Sequence, residues 1–260
     1  MSRRITRTVG AALMAVLTVM ASACGSTHSA PVLRHASVGA PFRYVAVGGT
    51  DASGGGTDDP FLDAWPQQLF RASMPLSAVL VNASVPNETV AGARIDQVPT
   101  ALALSPTVVT VWLLSADLLA GTPPVTFRTD LLQLLTALRD QGRTTVLVGT
   151  GPSLNQVPGY PACRDGTGTR RLQCPNPLPD RAVLEVQLAA YNAAITADAA
   201  ASGAVAVDLQ ASVDRSVAAG SAPFLDATGA DLSTAGSTVV AGAFGSALRA
   251  ALHPAAGSVG

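Results

Sequence analysis

The sequence predicts an α/β domain: three layers, α/β/α, built on a five-stranded parallel sheet. Three observations carry this expectation. Five short runs rich in Val, Leu and Ala recur along the chain, each of strand length and too short for a typical helix. Longer segments with apolar residues at helical spacing lie between them. Strands alternating with helices argue for parallel pairing with both faces of the sheet covered.

Residues 44–47 (Tyr-Val-Ala-Val) form the opening strand, and Gly48 and Gly49 stop it. Thr50, Asp51 and a polar glycine loop, 53–57, follow, where an open α/β sheet places its ligand crevice. Leu62, Trp65, Leu69 and Phe70 predict a helix over 62–72. Residues 78–82 are the second strand. Residues 89–103 read as helical pieces interrupted at Pro99. The β-branched run 108–114 is the third strand. A helix is expected over 129–141, with Leu131, Leu132, Leu134, Leu135 and Leu138 on its buried face and Gly142 as its stop. Residues 145–149 are the fourth strand. Residues 150–179 form a long loop rich in Gly and Pro. The helix 181–201 follows, with Leu184, Val186, Leu188, Ala189 and Tyr191 on its apolar faces. Residues 204–209 are the fifth strand, and 233–252 the closing helix. The expected strand order is flavodoxin-like, in one domain over 42–252 with a short tail, 253–260. Trp65 and Trp112 read as core residues.

Composition is that of a globular chain, 48% hydrophobic and 13% charged, with Arg as its basic residue and no Lys. The formal charge of −1 carries no nucleic-acid footprint. Residues 1–23 read as a secretory signal: Arg3, Arg4 and Arg7, then an apolar stretch over 9–20, then Ala21-Ser22-Ala23. Its removal takes the formal charge from −1 to −4. Ala21-Ser22-Ala23-Cys24 resembles a bacterial lipobox. That resemblance implies acylation of Cys24, a membrane partner through the N-terminal lipid, and a location on the outer face of the cell membrane. The alternative is a secreted protein with a spare thiol. Residues 24–41, polar and small, read as a flexible tether. Cys163 and Cys174 sit in one loop and leave Cys24 as the odd cysteine, so these two are expected to pair after export. No His lies near either of them, and neither a metal site nor a cofactor is expected.

The loops at the strand ends read Gly48-Gly49-Thr50-Asp51, Asn82-Ala83-Ser84-Val85-Pro86-Asn87, Leu114-Ser115-Ala116-Asp117, and Asp226 to Asp231 followed by Leu232-Ser233-Thr234-Ala235-Gly236. The order and wording of these blocks resemble the SGNH (GDSL-type) hydrolases over nearly the whole domain, most closely an exported bacterial branch that also has paired cysteines in the long loop. The resemblance implies ester hydrolysis by a Ser nucleophile, a His base with its Asp, and a three-part oxyanion hole. Matched position by position, however, Thr50 takes the nucleophile slot and Ser84 the oxyanion Gly slot. Ala116 takes the oxyanion Asn slot, Thr228 the Asp slot, and Asp231 the His slot.

A hydroxyl becomes a nucleophile when a positioned base takes its proton. The three histidines are His28 and His35 in the tether and His253 after the closing helix; His253 is read as a decoy. The expectation is therefore a degenerate member with a binding or envelope role. The alternatives are an active ester hydrolase using Thr50 and Asp231, and a purely structural envelope protein. Gly49, Asp51, Asn82 and Asp117 are read as candidate pocket residues for a small molecule or glycan. The other reading of the acids is as solvated loop side chains.

Overall fold

The computed structural model describes residues 42–167 and 172–252. Its strands are β1 (Arg43–Gly48), β2 (Val79–Asn82), β3 (Val108–Trp112), β4 (Thr145–Gly149) and β5 (Val205–Val207). They form one parallel sheet in the order β2-β1-β3-β4-β5, the flavodoxin-like order. The central strands β1 and β3 are apolar on both sides because helices cover both faces: every residue of β3 is buried, and in β1 every residue after Arg43 is. Edge strand β2 is half-exposed.

The helices are α1 (Pro60–Asp63), α2 (Trp65–Ser73), α3 (Val90–Ala103), α4 (Ser115–Ala120), α5 (Pro124–Leu138), α6 (Tyr160–Asp165), α7 (Arg181–Ser202), α8 (Leu209–Ala218) and α9 (Thr234–Leu252). Helices α3, α5 and α7 pack side by side, and α9 packs against α2 and α8. Trp65 stacks on Phe244 at 4.8 Å and meets Trp112 edge-on at 6.4 Å, joining α2, α9 and β3. Phe127 and Tyr191 stack at 3.9 Å between α5 and α7. Both tryptophans are core residues.

The structure departs from the sequence expectations at several elements. The helix expected over 62–72 is two helices. Pro66 has no N–H for the carbonyl of Leu62, so it serves as a first-turn residue of a new helix. Leu62 is consequently turned outward, 53% exposed. Helix α3 runs unbroken through Pro99. The ring lies on the exposed side, where the freed Ile95 carbonyl faces solvent, while Val98 and Ala101 anchor the buried side. Helix α5 starts earlier than expected, at Pro124, and ends at Leu138, before Gly142. Asp140 and Gln141 adopt positive φ and end the helical path ahead of the glycine, and Leu132 is half-buried. On α7 the apolar face is narrower than expected: Ala189 is exposed and Val186 is 72% exposed. Helices α4 and α8 were not anticipated, and the long loop contains α6.

Cys163 and Cys174 form a disulfide that closes this loop onto α6. The expected signal, Cys24, the tether and the tail with His253 lie outside the described residues.

Candidate functional site

Four connections leave the carboxyl ends of the strands and meet beside β1. Gly48, the last residue of β1, is held from the α3 side: its N–H donates to Gln97 Oε1 and its carbonyl accepts from Gln97 Nε2, both at 3.0 Å. This anchors the one-turn 3-10 segment Thr50–Ala52. A Cβ on Gly48 would stand 2.7 Å from Ala52 Cβ, so the tight return after β1 requires glycine there.

Thr50 is half-buried, and its Oγ1 accepts the N–H of Asn87 at 2.9 Å. The hydroxyl in the nucleophile slot therefore ties the loop after β1 to the loop after β2. Asp51 is 3% exposed and accepts a hydrogen bond from Ser115 Oγ at 3.2 Å. Burial pushes its carboxyl up to about 7, and the charge of Asp231 adds to the rise. Ser84 donates its N–H to Asn82 Oδ1 at 3.2 Å, and Asn82 Nδ2 donates to the carbonyl of Ala52 at 2.8 Å. Ala116, on α4, turns a methyl group toward the cavity.

The loop before α9 is organised by Asp226. Its carboxylate accepts from Thr228 Oγ1 at 2.8 Å and from the N–H of Ala230 at 3.1 Å. Asp231 packs on the glycine loop after β1. A Cβ on Gly55 would come within 2.9 Å of Asp231 Oδ2, and one on Gly56 within 2.6 Å of the Leu232 carbonyl. The glycines of that loop exist for this close approach.

Gly49, Thr50, Asp51, Ser115, Ala116 and Ala230 surround a cavity of about 20 Å³, room for the centre of a single water. Leu119, Pro158 and Leu172 close it. The structure thus brings Gly49 and Asp51 to the cavity, but not Asn82 or Asp117. Asn82 braces the loop after β1. Asp117 is buried and accepts the N–H of Val90 at 2.8 Å, capping α3. Burial raises its carboxyl above the usual range, partly offset by that N–H and by Thr122. Thr228 is turned into its own loop. Ser115, Asn87 and Asp226 stand in the strand-end blocks but have no role assigned from sequence, and Gln97 was missed. Gln97, a polar residue on the buried side of a helix, was the one with a readable signal.

The GDSL-like lipase/acylhydrolase family model matches residues 46–256. The chain belongs to the GDSL-like lipase/acylhydrolase family. Solved structures repeat the fold. A lipase/acylhydrolase from Enterococcus faecalis superposes with a TM-score of 0.58 at 16% identity, covering 81% of this chain and 96% of its own. LAE5, an alpha/beta hydrolase enzyme from the metagenome of Lake Arreo, gives 0.61 at 17% identity, covering 81% and 96%. A catalytic mutant of Axe2, an acetylxylan esterase from Geobacillus stearothermophilus, gives 0.58 at 15% identity, covering 80% and 94%. No curated protein matches the sequence. This GDSL-like chain has no histidine among its described residues. Helix α9 begins beside Asp231 and, at about 1.5 Å per residue, carries Leu252 roughly 27 Å away. The resident carboxyls, one held near neutrality, are the groups here that can accept a proton.

Proposed function

We propose that this chain is an exported, lipid-anchored member of the GDSL-like family that does not hydrolyse esters and serves as a binding or scaffolding protein of the cell envelope. The observation that carries the reading is Asp231 in the slot of the base, next to a crevice reduced to the space of one water. Three further features agree with it. Thr50 Oγ1 accepts a backbone N–H, and no histidine among the described residues stands by to take its proton. Ala116 offers no side-chain donor, and losing one oxyanion donor costs roughly 10²–10³ in rate. Leu119, Pro158 and Leu172 line the cavity and leave it too small for an acyl group. The cavity beside Thr50 is too small for a small molecule or glycan, and a ligand would instead meet the neighbouring cavity of about 310 Å³ lined by Asn87, Thr89, Ala116 and Leu119.

The test uses the chain from residue 24 onward with Cys24→Ser, assayed with nitrophenyl acetate and butyrate. We expect no turnover above that of Thr50→Ala and Asp231→Ala. Turnover abolished by Thr50→Ala would overturn the reading. One observation favours a second reading, an active ester hydrolase with a rewired site: a carboxyl near 7 falls in the range of an effective general base. Under that reading, turnover rises through pH 7 and Asp51→Asn removes it. For the anchor, labelled palmitate should enter the full-length protein and be lost from its Cys24→Ser variant. Unchanged labelling of the variant would refute the anchor.

A further inference from the structure

The strands of a parallel sheet all start at one end, and the helices that return the chain to them finish there. In this domain that end is built from residues 42–44, 71–79, 103–108, 139–145, 202–205 and 249–252. Its charge is one-sided. Arg43 opens β1, Arg71 lies in the last turn of α2, Arg139 and Arg143 bracket the turn before β4, and Arg249 lies in the last turn of α9. The one carboxylate in these segments is Asp140, ion-paired with Arg143 at 2.6 Å. Asp51, Asp58, Asp59, Glu88, Asp117, Asp226 and Asp231 all stand at the opposite end, around the site. Apolar side chains also point outward at the arginine end. Leu76 is fully exposed, and Val79, paired in register with Arg43, is half-exposed.

We propose that this arginine end is a docking face for an anionic phospholipid surface, with Leu76 entering the interface and the degenerate site facing away. Two observations select this occupant. The exposed Arg71 and Arg249, with Arg43 at the same end, match an anionic headgroup layer in sign, each contributing about 1 kcal/mol near such a surface, whereas Arg139 is half-buried on the Thr144 carbonyl and Arg143 is paired with Asp140. In addition, residue 42 lies at this same end, so the expected tether, 24–41, joins the domain there. Only residues 24–41 link Cys24 to the domain, so a lipid on Cys24 keeps this face within reach of the bilayer. The orientation in the cell rests on the lipid-anchor reading; the lipid affinity of the face does not.

The experiment is vesicle co-sedimentation of the chain from residue 24 onward, with Cys24→Ser to remove the lipid. Vesicles are phosphatidylcholine with or without 30% phosphatidylglycerol, a composition chosen for the assay. We expect binding to the anionic vesicles only, weakened by salt. Arg71→Gln combined with Arg249→Gln should weaken it about 25-fold, taking roughly fivefold per arginine. Arg164→Gln with Arg181→Gln, at the opposite end, should leave it unchanged. Asp140→Asn should strengthen it about fivefold, which gives a readout of opposite sign if the double variant folds poorly. Equal binding to both vesicle types would overturn the proposal, as would equal losses from the two arginine pairs or no gain from Asp140→Asn. A face that binds in a protein whose Cys24 takes no palmitate would sink the anchor and leave the face standing.

Discussion

Asp51 pays twice for its position, once for burial and once for the neighbouring charge of Asp231. Its folded carboxyl titrates near 7, against 3.8 for the free group. Below about pH 4 both folded and unfolded chains hold the proton, and the group is neutral to stability. Between about 4 and 7 the unfolded chain releases its proton first, so stability falls as pH rises, by up to a few kcal/mol. Asp51→Asn should therefore raise the melting temperature at pH 8 and leave it nearly unchanged at pH 4. An equal effect at both pH values in thermal melts would refute this account of the group. Thr50→Val should cost about 1–2 kcal/mol in denaturant unfolding, because it leaves the Asn87 N–H without its acceptor. At this scale the sequence was only partly legible. Thr50, Asp51 and Ala116 could be placed because each follows a strand by a residue or a few. The roles of Asn82 and Asp117 could not be read, because each depends on a backbone group remote in sequence: Ala52 for one, Val90 for the other.

Helix α9 shows how closely an element is fitted on its buried face and how loosely on its exposed one. A Cβ on Gly236 would stand 1.9 Å from the carbonyl oxygen of Phe224, whereas one on Gly242 would meet nothing within 4 Å. Gly236→Ala should therefore destabilise the fold by about 3 kcal/mol through a forced backbone shift. Gly242→Ala should stabilise it by about 0.5–1 kcal/mol through helix propensity. Denaturant midpoints of the two variants should move in opposite directions, and shifts of the same sign would contradict the packing described. The elements most legible in sequence were the buried strands, whose unbroken apolar runs follow directly from coverage on both faces. Boundaries were lost wherever proline was involved. Pro66 and Pro124 start helices, and Pro99 is carried within one because its face is wet. Helix α8 escaped notice because its buried residues are few, Leu209 and Val213.

Taken whole, the molecule keeps its carboxylates, Asp140 excepted, away from the end where its strands begin, and its long connection is cross-linked at the other end. The Cys163–Cys174 bridge closes a loop of sequence separation 11. Replacing both cysteines with Ser should lower stability by about 3 kcal/mol on the chain-entropy estimate. The urea midpoint of the double variant, compared with that of the oxidised native chain, checks it, and coincident midpoints would refute it. The strand order was legible in sequence because helices of sufficient length separate the strands. The closure of the crevice was not, since Leu119 comes from the connection after β3 and Pro158 and Leu172 from the one after β4, and the two meet only in the folded chain.

The pair of bonds between Gln97 and Gly48 has a kinetic consequence. The amide hydrogen of Gly48 is shielded by a helix side chain, although the residue belongs to the central strand. Its exchange with solvent deuterium therefore follows the lifting of α3 from the sheet, not the fraying of β1 from β3. Compared with the amides deep within β1, it acts as a clock for the separation of one layer from the next.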